Sequence, residues 1–352
     1  MKENTFLLYG ANGYTGQLIA RMAKDYGLIP ILAGRTEASL QKMAAHLDLP
    51  YKVIDLSDTE ILEAALKEVS VVLHAAGPFQ HTSKKMIAAC LNTKTHYLDI
   101  TGEISVFELA KQYDAKAKEV GIMIMPGVGF DVVPTDCTAL YLKNLLPDAT
   151  HLKLAFAMVG GKLSHGTATT MAENLGEGGV VRENGIIVRK PLGHKGFWVD
   201  FGLKKLFVMC IPWGDISTAF TTTGIPNIET YTGSSPKTFS LLKWQFLFNW
   251  FLRTSFARTK AKNKIKHNPA GPTDEMRAKA MSLVWGEVVN TSGEKKVARL
   301  QCPEGYTLTA ISSLLITKKV LEGNFKAGYQ TPAAAYGADL VMEIPGVTRE
   351  IL

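Results

Sequence analysis

The stretch Leu7-Leu8-Tyr9-Gly10-Ala11-Asn12-Gly13-Tyr14-Thr15-Gly16 decides the fold. An apolar run that ends in glycine, with two more glycines at three-residue intervals, reads as a strand closing into a tight turn that opens a helix. Gly10 permits the turn, Gly13 lets the backbone approach a pyrophosphate and Gly16 lets the helix pack close to the sheet. Asn12, Tyr14 and Thr15 complete the same turn. A dinucleotide diphosphate would sit on amides at the helix N-terminus, where the dipole favours negative charge. The alternative is a turn that needs positive φ and holds no ligand.

Outward from that turn, short apolar or β-branched runs alternate with stretches of helical period. Strands are predicted at Thr5 to Tyr9, Ile29 to Ala33, Tyr51 to Ile54, Val71 to His74, His96 to Leu98 and Ile122 to Met125. Helices are predicted at Thr15 to Tyr26, Ala38 to Leu47, Thr59 to Lys67, Ser83 to Leu91 and Phe107 to Val120. The alternation specifies an α/β, doubly wound parallel sheet of the Rossmann kind over residues 1–133. After Pro126 the rhythm breaks into glycine-rich turns and longer strand-like runs, Leu152 to Val159, Phe207 to Ile211 and Thr218 to Thr223. Residues 134–302 therefore read as an inserted α+β domain for substrate or dimerisation. The tail, about 303–352, is expected to return to the first domain with a helix at Leu308 to Leu321 and a strand at Asp339 to Ile344.

The end of the second strand selects the coenzyme. NAD calls for a carboxylate there, whereas Ala33-Gly34-Arg35-Thr36 has no acid before Glu37. Arg35 and the Thr36 hydroxyl suit a 2′-phosphate, so NADP is favoured over NAD. Asp55, at the end of the third strand, is a candidate for the adenine ring, although aspartate is common at strand ends. Ala75-Ala76-Gly77-Pro78-Phe79 ends the fourth strand where the nicotinamide half should run. Ala76, Gly77 and Pro78 allow close approach, and a plain Gly-Pro turn explains them equally well.

The chemistry opposite the nicotinamide is less legible. No tyrosine has a lysine four residues on, which excludes a short-chain dehydrogenase site, and no Gly-x-Ser-x-Gly elbow is present. Asp99 and Glu103 follow the fifth strand and are candidates to orient substrate or relay a proton. Thr101 or Asp99 would equally serve as cap for a helix beginning near Ser105. Asp131 and Asp136 lie where the chain leaves the first domain, a hinge or cleft position. Ser164-His165-Gly166-Thr167 offers an imidazole and hydroxyls at a helix start, and capping is the commoner role for such hydroxyls.

Composition narrows the class. A chain of 352 residues, 46% hydrophobic and 20% charged, is long enough for two cores. Four scattered cysteines form no Cys-x-x-Cys pair, so no metal site or disulfide framework is indicated and a cytoplasmic setting is expected. The net charge of +7 is concentrated between Arg253 and Lys266, without a nucleic-acid-binding motif, so no nucleic acid is expected. Phe239 to Phe256 is the most hydrophobic stretch, yet Lys243, Gln245, Asn249 and Arg253 interrupt it. On a helical projection Trp244, Phe248, Phe251 and Leu252 share a side. A helix docked on the core or on a second subunit, as in a homodimer, is favoured over a helix lying on a membrane surface.

Taken together, YGANGYTG at 9–16, AGR at 33–35, AAGPF at 75–79, HYLDITGE at 96–103, PGVGFDVVPTD at 126–136 and the tail motifs at 302–340 resemble the saccharopine dehydrogenase-like oxidoreductases, in particular the trans-acting enoyl reductase branch. The resemblance covers most of the chain. It implies an NADP-binding Rossmann domain, an inserted domain with a mixed sheet, and hydride transfer to or from a C=C or C=N bond of a small molecule across an interdomain cleft. Lysine-pathway members carry Gly-x-Gly-x-x-Gly, which this chain lacks, so saccharopine is not the expected substrate. Vertebrate members of the branch are membrane-associated, which keeps the membrane reading of Phe239 to Phe256 open. Two alternatives stand beside the enzyme: a non-catalytic NADP-binding redox sensor, and a membrane-peripheral, lipid-related reductase.

Overall fold

A computed structural model describes residues 4–352. The chain packs as two units: the residues up to Val133 with Tyr306–Ala335, and Pro134–Gly305 with Tyr336–Leu352. The strands in chain order begin with β1 Thr5–Tyr9, β2 Ile29–Gly34, β3 Tyr51–Val53, β4 Val71–His74, β5 His96–Asp99 and β6 Met123–Met125. They continue with β7 His151–Val159, β8 Gly179–Glu183, β9 Ile186–Lys190, β10 Gly196–Asp200, β11 Lys205–Cys210 and β12 Asn227–Gly233. The last are β13 Met281–Val289, β14 Lys295–Pro303, β15 Gly328–Tyr329 and β16 Thr348–Ile351.

The first unit holds a seven-stranded sheet in the order β15-β6-β5-β4-β1-β2-β3, with every pair parallel. Burial on both faces explains why its strands read as continuous apolar runs: β4 is buried at all four residues. One side packs Leu7, Ile31, Val72, Ile87, Tyr97 and Ile124 into a single core. The strand order reverses between β1 and β4, and at that switch the two loops leaving the carboxyl ends part to opposite faces. The first six strands are those anticipated from the sequence. β15, at two residues, is too short for any periodicity to reveal.

The second unit is built on a mixed sheet, β10-β11-β12-β7-β13-β14-β16, with β8 pairing β12 and β9. β7 and β12 run parallel and the remaining neighbours along that path antiparallel. Ala155, Val181, Val208, Tyr231, Leu283 and Trp285 form one of its cores. This is the parallel Rossmann sheet plus α+β insertion that the sequence implied.

Four local expectations are corrected. Phe107 to Val120 is two helices, Ile104–Lys111 and Asp114–Val120. Asp114 restarts the second by taking the Tyr329 amide at 2.9 Å while Lys118 holds its other oxygen at 2.7 Å. Thr218 to Thr223 is no strand but the end of helix Asp215–Thr223. Its β-branched residues are accommodated because Thr218, Thr221 and Thr223 donate their hydroxyls to carbonyls four residues back. Asp339 to Ile344 is a 3-10 turn, Leu340–Glu343, and the strand lies further on as β16. Phe239 to Phe256 is not one helix. It breaks into Pro236–Leu242, Gln245–Leu247 and Asn249–Leu252 before helix Ser255–Lys266 begins. Just past the first interruption Gln245 is tied down: its amide nitrogen donates to the Leu192 and Leu242 carbonyls, both at 2.8 Å, and its oxygen accepts from the Leu192 amide at 3.1 Å.

Candidate functional site

The carboxyl ends of β1 and β4 meet at Gly10. Its φ of +86° lies in the left-handed region, and a Cβ there would stand 2.7 Å from the Ala76 nitrogen and 2.8 Å from the Ala75 carbonyl carbon. Glycine at position 10 is thus required both by the turn and by the loop after β4. Gly10 and Ala11 donate their amides to the Ala33 carbonyl at 2.8 and 3.1 Å, which ties the turn to β2. A Cβ on Gly16 would come within 2.3 Å of the Gly10 carbonyl oxygen, so the helix lies directly against the turn. Gly13 differs: the only atom within 4 Å of its missing Cβ is the Gly10 oxygen, at 3.2 Å. Its outer side is open. Helix Tyr14–Met22 starts at that open place with no side-chain cap and no acid in its first turn. An uncapped, positively polarised helix end beside bare backbone fits a diphosphate.

Arg35 follows β2, is exposed, and takes part in no hydrogen bond or ion pair among the described residues. Thr36 stands at the N-cap of helix Glu37–Leu47 without using its side chain there. The Asn12 side-chain oxygen lies 3.1 Å from where a Gly34 Cβ would stand, which brings Asn12 beside this strand end. A guanidinium with no protein partner and an unspent hydroxyl are what a 2′-phosphate requires. Asp55 is differently engaged: it accepts from the Ser57 amide at 2.8 Å and the Ser57 hydroxyl at 2.7 Å. Those two bonds, with a smaller contribution from the Arg35 charge, hold its carboxyl below the usual range. It shapes its own turn, and one oxygen is already spent there.

The loop Ala75-Ala76-Gly77-Pro78 rests on a buried histidine that the sequence reading missed. His74, fully buried, places Nε2 at 2.9 Å from the Thr82 hydroxyl, which donates to the Ala76 carbonyl at 3.0 Å. A hydroxyl has one proton, so Nε2 must carry its own and Nδ1 is a bare lone pair with no partner. Burial pushes the imidazole down to about 3, keeping it neutral. The chain His74–Thr82–Ala76 therefore braces the loop. The missed signal was the alternation in β4, which placed a polar side chain inside a two-faced apolar sheet.

The carboxylates after β5 and β6 have separate duties. Asp99, fully buried, takes the Tyr97 hydroxyl at 2.5 Å on one oxygen, and the Thr101 and Gly127 amides, both at 2.9 Å, on the other. Burial, against those hydrogen bonds, raises it to about 7. Glu103 accepts from the Phe79 and Gln80 amides, both at 2.8 Å, and so caps helix Phe79–Thr93. Neither Asp99 nor Thr101 caps the helix that starts at Ile104: Thr101 instead accepts from the Glu103 amide at 3.0 Å. Asp131 sits over Gly102, where a Cβ would be 2.6 Å from its Oδ2, and none of its atoms makes a hydrogen bond among the described residues. Burial first, and the Glu103 charge second, raise its carboxyl to about 7.

Asp136 and His165 belong to the second unit. Thr222 donates to Asp136 at 2.5 Å, and the His165 Nε2 lies 2.6 Å from the Asn268 carbonyl. Ser164 caps helix His165–Glu173 by accepting from the Thr167 amide. Among the described residues no three His, Cys, Asp or Glu gather as metal ligands, and no helix is long and apolar enough to cross a membrane.

Residues 6–125 match the family model described as the saccharopine dehydrogenase NADP binding domain. The trans-acting enoyl reductase of Mycobacterium leprae is 34% identical over 158 residues, 42% of this chain and 38% of that protein. The mouse saccharopine dehydrogenase-like oxidoreductase is 30% identical over 158 residues, 39% of this chain and 37% of that protein. The match thus spans well under half the length of these relatives. Among solved structures, apo saccharopine dehydrogenase (L-Glu forming) from Saccharomyces cerevisiae superposes with a TM-score of 0.68 over 99% of this chain and 100% of that one. At 12% identity this is a likeness of fold.

Proposed function

We propose, for a chain whose residues 6–125 match the saccharopine dehydrogenase NADP binding domain model, that the protein is an NADP-dependent oxidoreductase acting on a C=C or C=N bond of a small molecule. The observation that carries the reading is the partnerless Arg35 guanidinium at the end of β2, beside the open, uncapped Gly13 turn. Gly10, Gly13 and Gly16 with the Tyr14 and Thr15 amides would hold the diphosphate, Arg35 and Thr36 the 2′-phosphate, and the braced Ala76-Gly77-Pro78 loop the nicotinamide half. The coenzyme, when bound, supplies or accepts the hydride.

The protein's own residues then handle the proton. Asp131 combines a side chain with no hydrogen-bond partner and a carboxyl raised to about 7, so near neutral pH it exists in both forms and can give or take a proton. Glu103, anchored on two helix amides, adds to the burial that already weakens the acidity of Asp131. Asp99 positions both by tying the loop after β5 to Gly127.

Calorimetry with NADPH and NADH on the wild type and Arg35→Ala tests the coenzyme assignment. A charge-assisted bond lost without replacement is about 1.5–3 kcal/mol, roughly ten- to a hundredfold in affinity. That loss is expected for NADPH, with NADH changed less than about twofold, since Arg35 would contact only the extra phosphate. Equal loss for both coenzymes, or none for either, rejects the role of Arg35.

A further inference from the structure

The amino ends of β1 and β2 lie at the opposite end of the first sheet from the candidate nucleotide site, and a cavity of about 250 Å³ opens there. Its walls come from three places in the chain: Asn4 just before β1, Tyr26 to Leu28 just before β2, and the end of helix Gly305–Leu321 with Lys318, Leu321 and Glu322. All of them belong to the first unit.

Local structure explains why the space stays open. The 3-10 turn Ala23–Tyr26 ends on Gly27, whose φ of +71° lies in the left-handed region, and a Cβ built there would meet nothing within 4 Å. The Glu322 amide still donates to the Lys318 carbonyl at 3.0 Å, so positions 318, 321 and 322 share one helical face. Leu28 is buried and Leu321 half-buried, which supplies an apolar wall.

The polar groups beside that wall have hydrogen-bonding capacity to spare. The Lys318 ammonium and the Glu322 carboxylate stand 4.0 Å apart, beyond hydrogen-bond reach, and neither side chain joins another ion pair or hydrogen bond among the described residues. The side chains of Asn4 and Tyr26 make no hydrogen bond among the described residues either. Burial first, and the Asp25 charge second, push the Tyr26 phenol up, so it stays a neutral donor.

We propose that this cavity is a binding site for a small zwitterion, an α-amino acid with an apolar side chain. Its carboxylate faces Lys318 and Tyr26, its ammonium faces Glu322 and the Asn4 carboxamide oxygen, and its side chain lies on Leu28 and Leu321. An ammonium and a carboxylate presented together to one cavity are matched by a ligand that carries both charges. A simple anion would meet Glu322 and a simple cation Lys318, each at a like-charge cost, and a neutral sugar would leave both charges unanswered. The volume falls below the range that holds drug-sized ligands and suits a molecule of amino-acid size. None of these residues is assigned to the coenzyme, so the proposal does not depend on the nucleotide reading.

Calorimetry of the full chain with leucine tests it, beside leucinamide, which lacks the carboxylate, and isocaproate, which lacks the ammonium. Leucine is expected to bind, and both analogues at least about tenfold more weakly, because each forfeits a charge-assisted bond. Lys318→Gln and Glu322→Gln should each weaken leucine by at least about tenfold. Both change exposed side chains, and their thermal melts should match the wild type. If one does not, the other decides. Arg35→Ala should bind leucine as the wild type does, which separates a failure here from a failure of the coenzyme assignment. No heat from leucine, binding of either analogue as tight as that of leucine, or leucine affinity retained in either folded glutamine variant overturns the proposal.

Discussion

Asp99 and Asp131 stand at the exits of neighbouring strands, and burial raises both carboxyls to about 7. Their surroundings separate them. Asp99 has three donors on its two oxygens and no surface, whereas Asp131 has no donor and keeps part of its surface. A perturbed acidity therefore says only that a group is desolvated; its unspent hydrogen-bonding capacity says whether it can act on something else. One residue holds the loops, and the other is left available by them.

That contrast can be broken in order of effect. Asp131→Asn should lower turnover of an enoyl or imine substrate by about a hundred- to ten-thousandfold, the span of a lost general acid, while its melting temperature stays near that of the wild type. In the reductive direction the wild-type rate should fall as pH rises through about 7, because the proton to be donated is then lost. A rate in the variant within about threefold of wild type would remove Asp131 from the chemistry.

Asp99→Ala should do the reverse in kind. It leaves the Thr101 and Gly127 amides and the Tyr97 hydroxyl without their buried acceptor. At about 1–3 kcal/mol for each such group, urea denaturation should show a loss of several kcal/mol. A loss under about 1 kcal/mol would mean that the loops do not depend on this carboxylate.

The smallest effect sharpens the coupling. Glu103→Gln removes the smaller of the two influences that raise Asp131, burial being the larger, so the Asp131 carboxyl should titrate lower by less than about one pH unit, observable by carbon NMR. An upward move would contradict the charge argument. The alkaline limb of the rate profile should follow the NMR titration in the same direction.

Legibility from the sequence followed the range of the interaction that decides each feature. The glycine turn and the first six strands depend on neighbours within a few residues, and both were readable; the coenzyme-selecting role of Arg35 is proposed on the same local ground. Glu103 was singled out, but its partners Phe79 and Gln80 are 24 and 23 residues away, so the helix it caps was not. Thr218 to Thr223 shows β-branched propensity overruled by local hydroxyl-to-carbonyl bonds. Phe239 to Phe256 had the right composition for an amphipathic helix, yet it is divided into short pieces, one of them tied through Gln245 to Leu192, over fifty residues distant. Asp55 and Asp99 show what sequence leaves out: the Ser57 bonds on one Asp55 oxygen and the three donors on Asp99 are turn and loop contacts that the residue type at a strand end does not announce.

The edge strand β15 and helix Gly305–Leu321 complete the nucleotide-binding unit from far downstream. Ser312 donates to the Val128 carbonyl at 2.7 Å, and Phe130 donates its amide to Thr309 at 3.0 Å. During synthesis, the loop carrying Asp131 must consequently wait for its backing until the ribosome has passed Leu321. The sheet stays without its β15 margin until Tyr329 has followed, and a nascent chain halted inside the insertion would display a partly formed unit exposed to proteases.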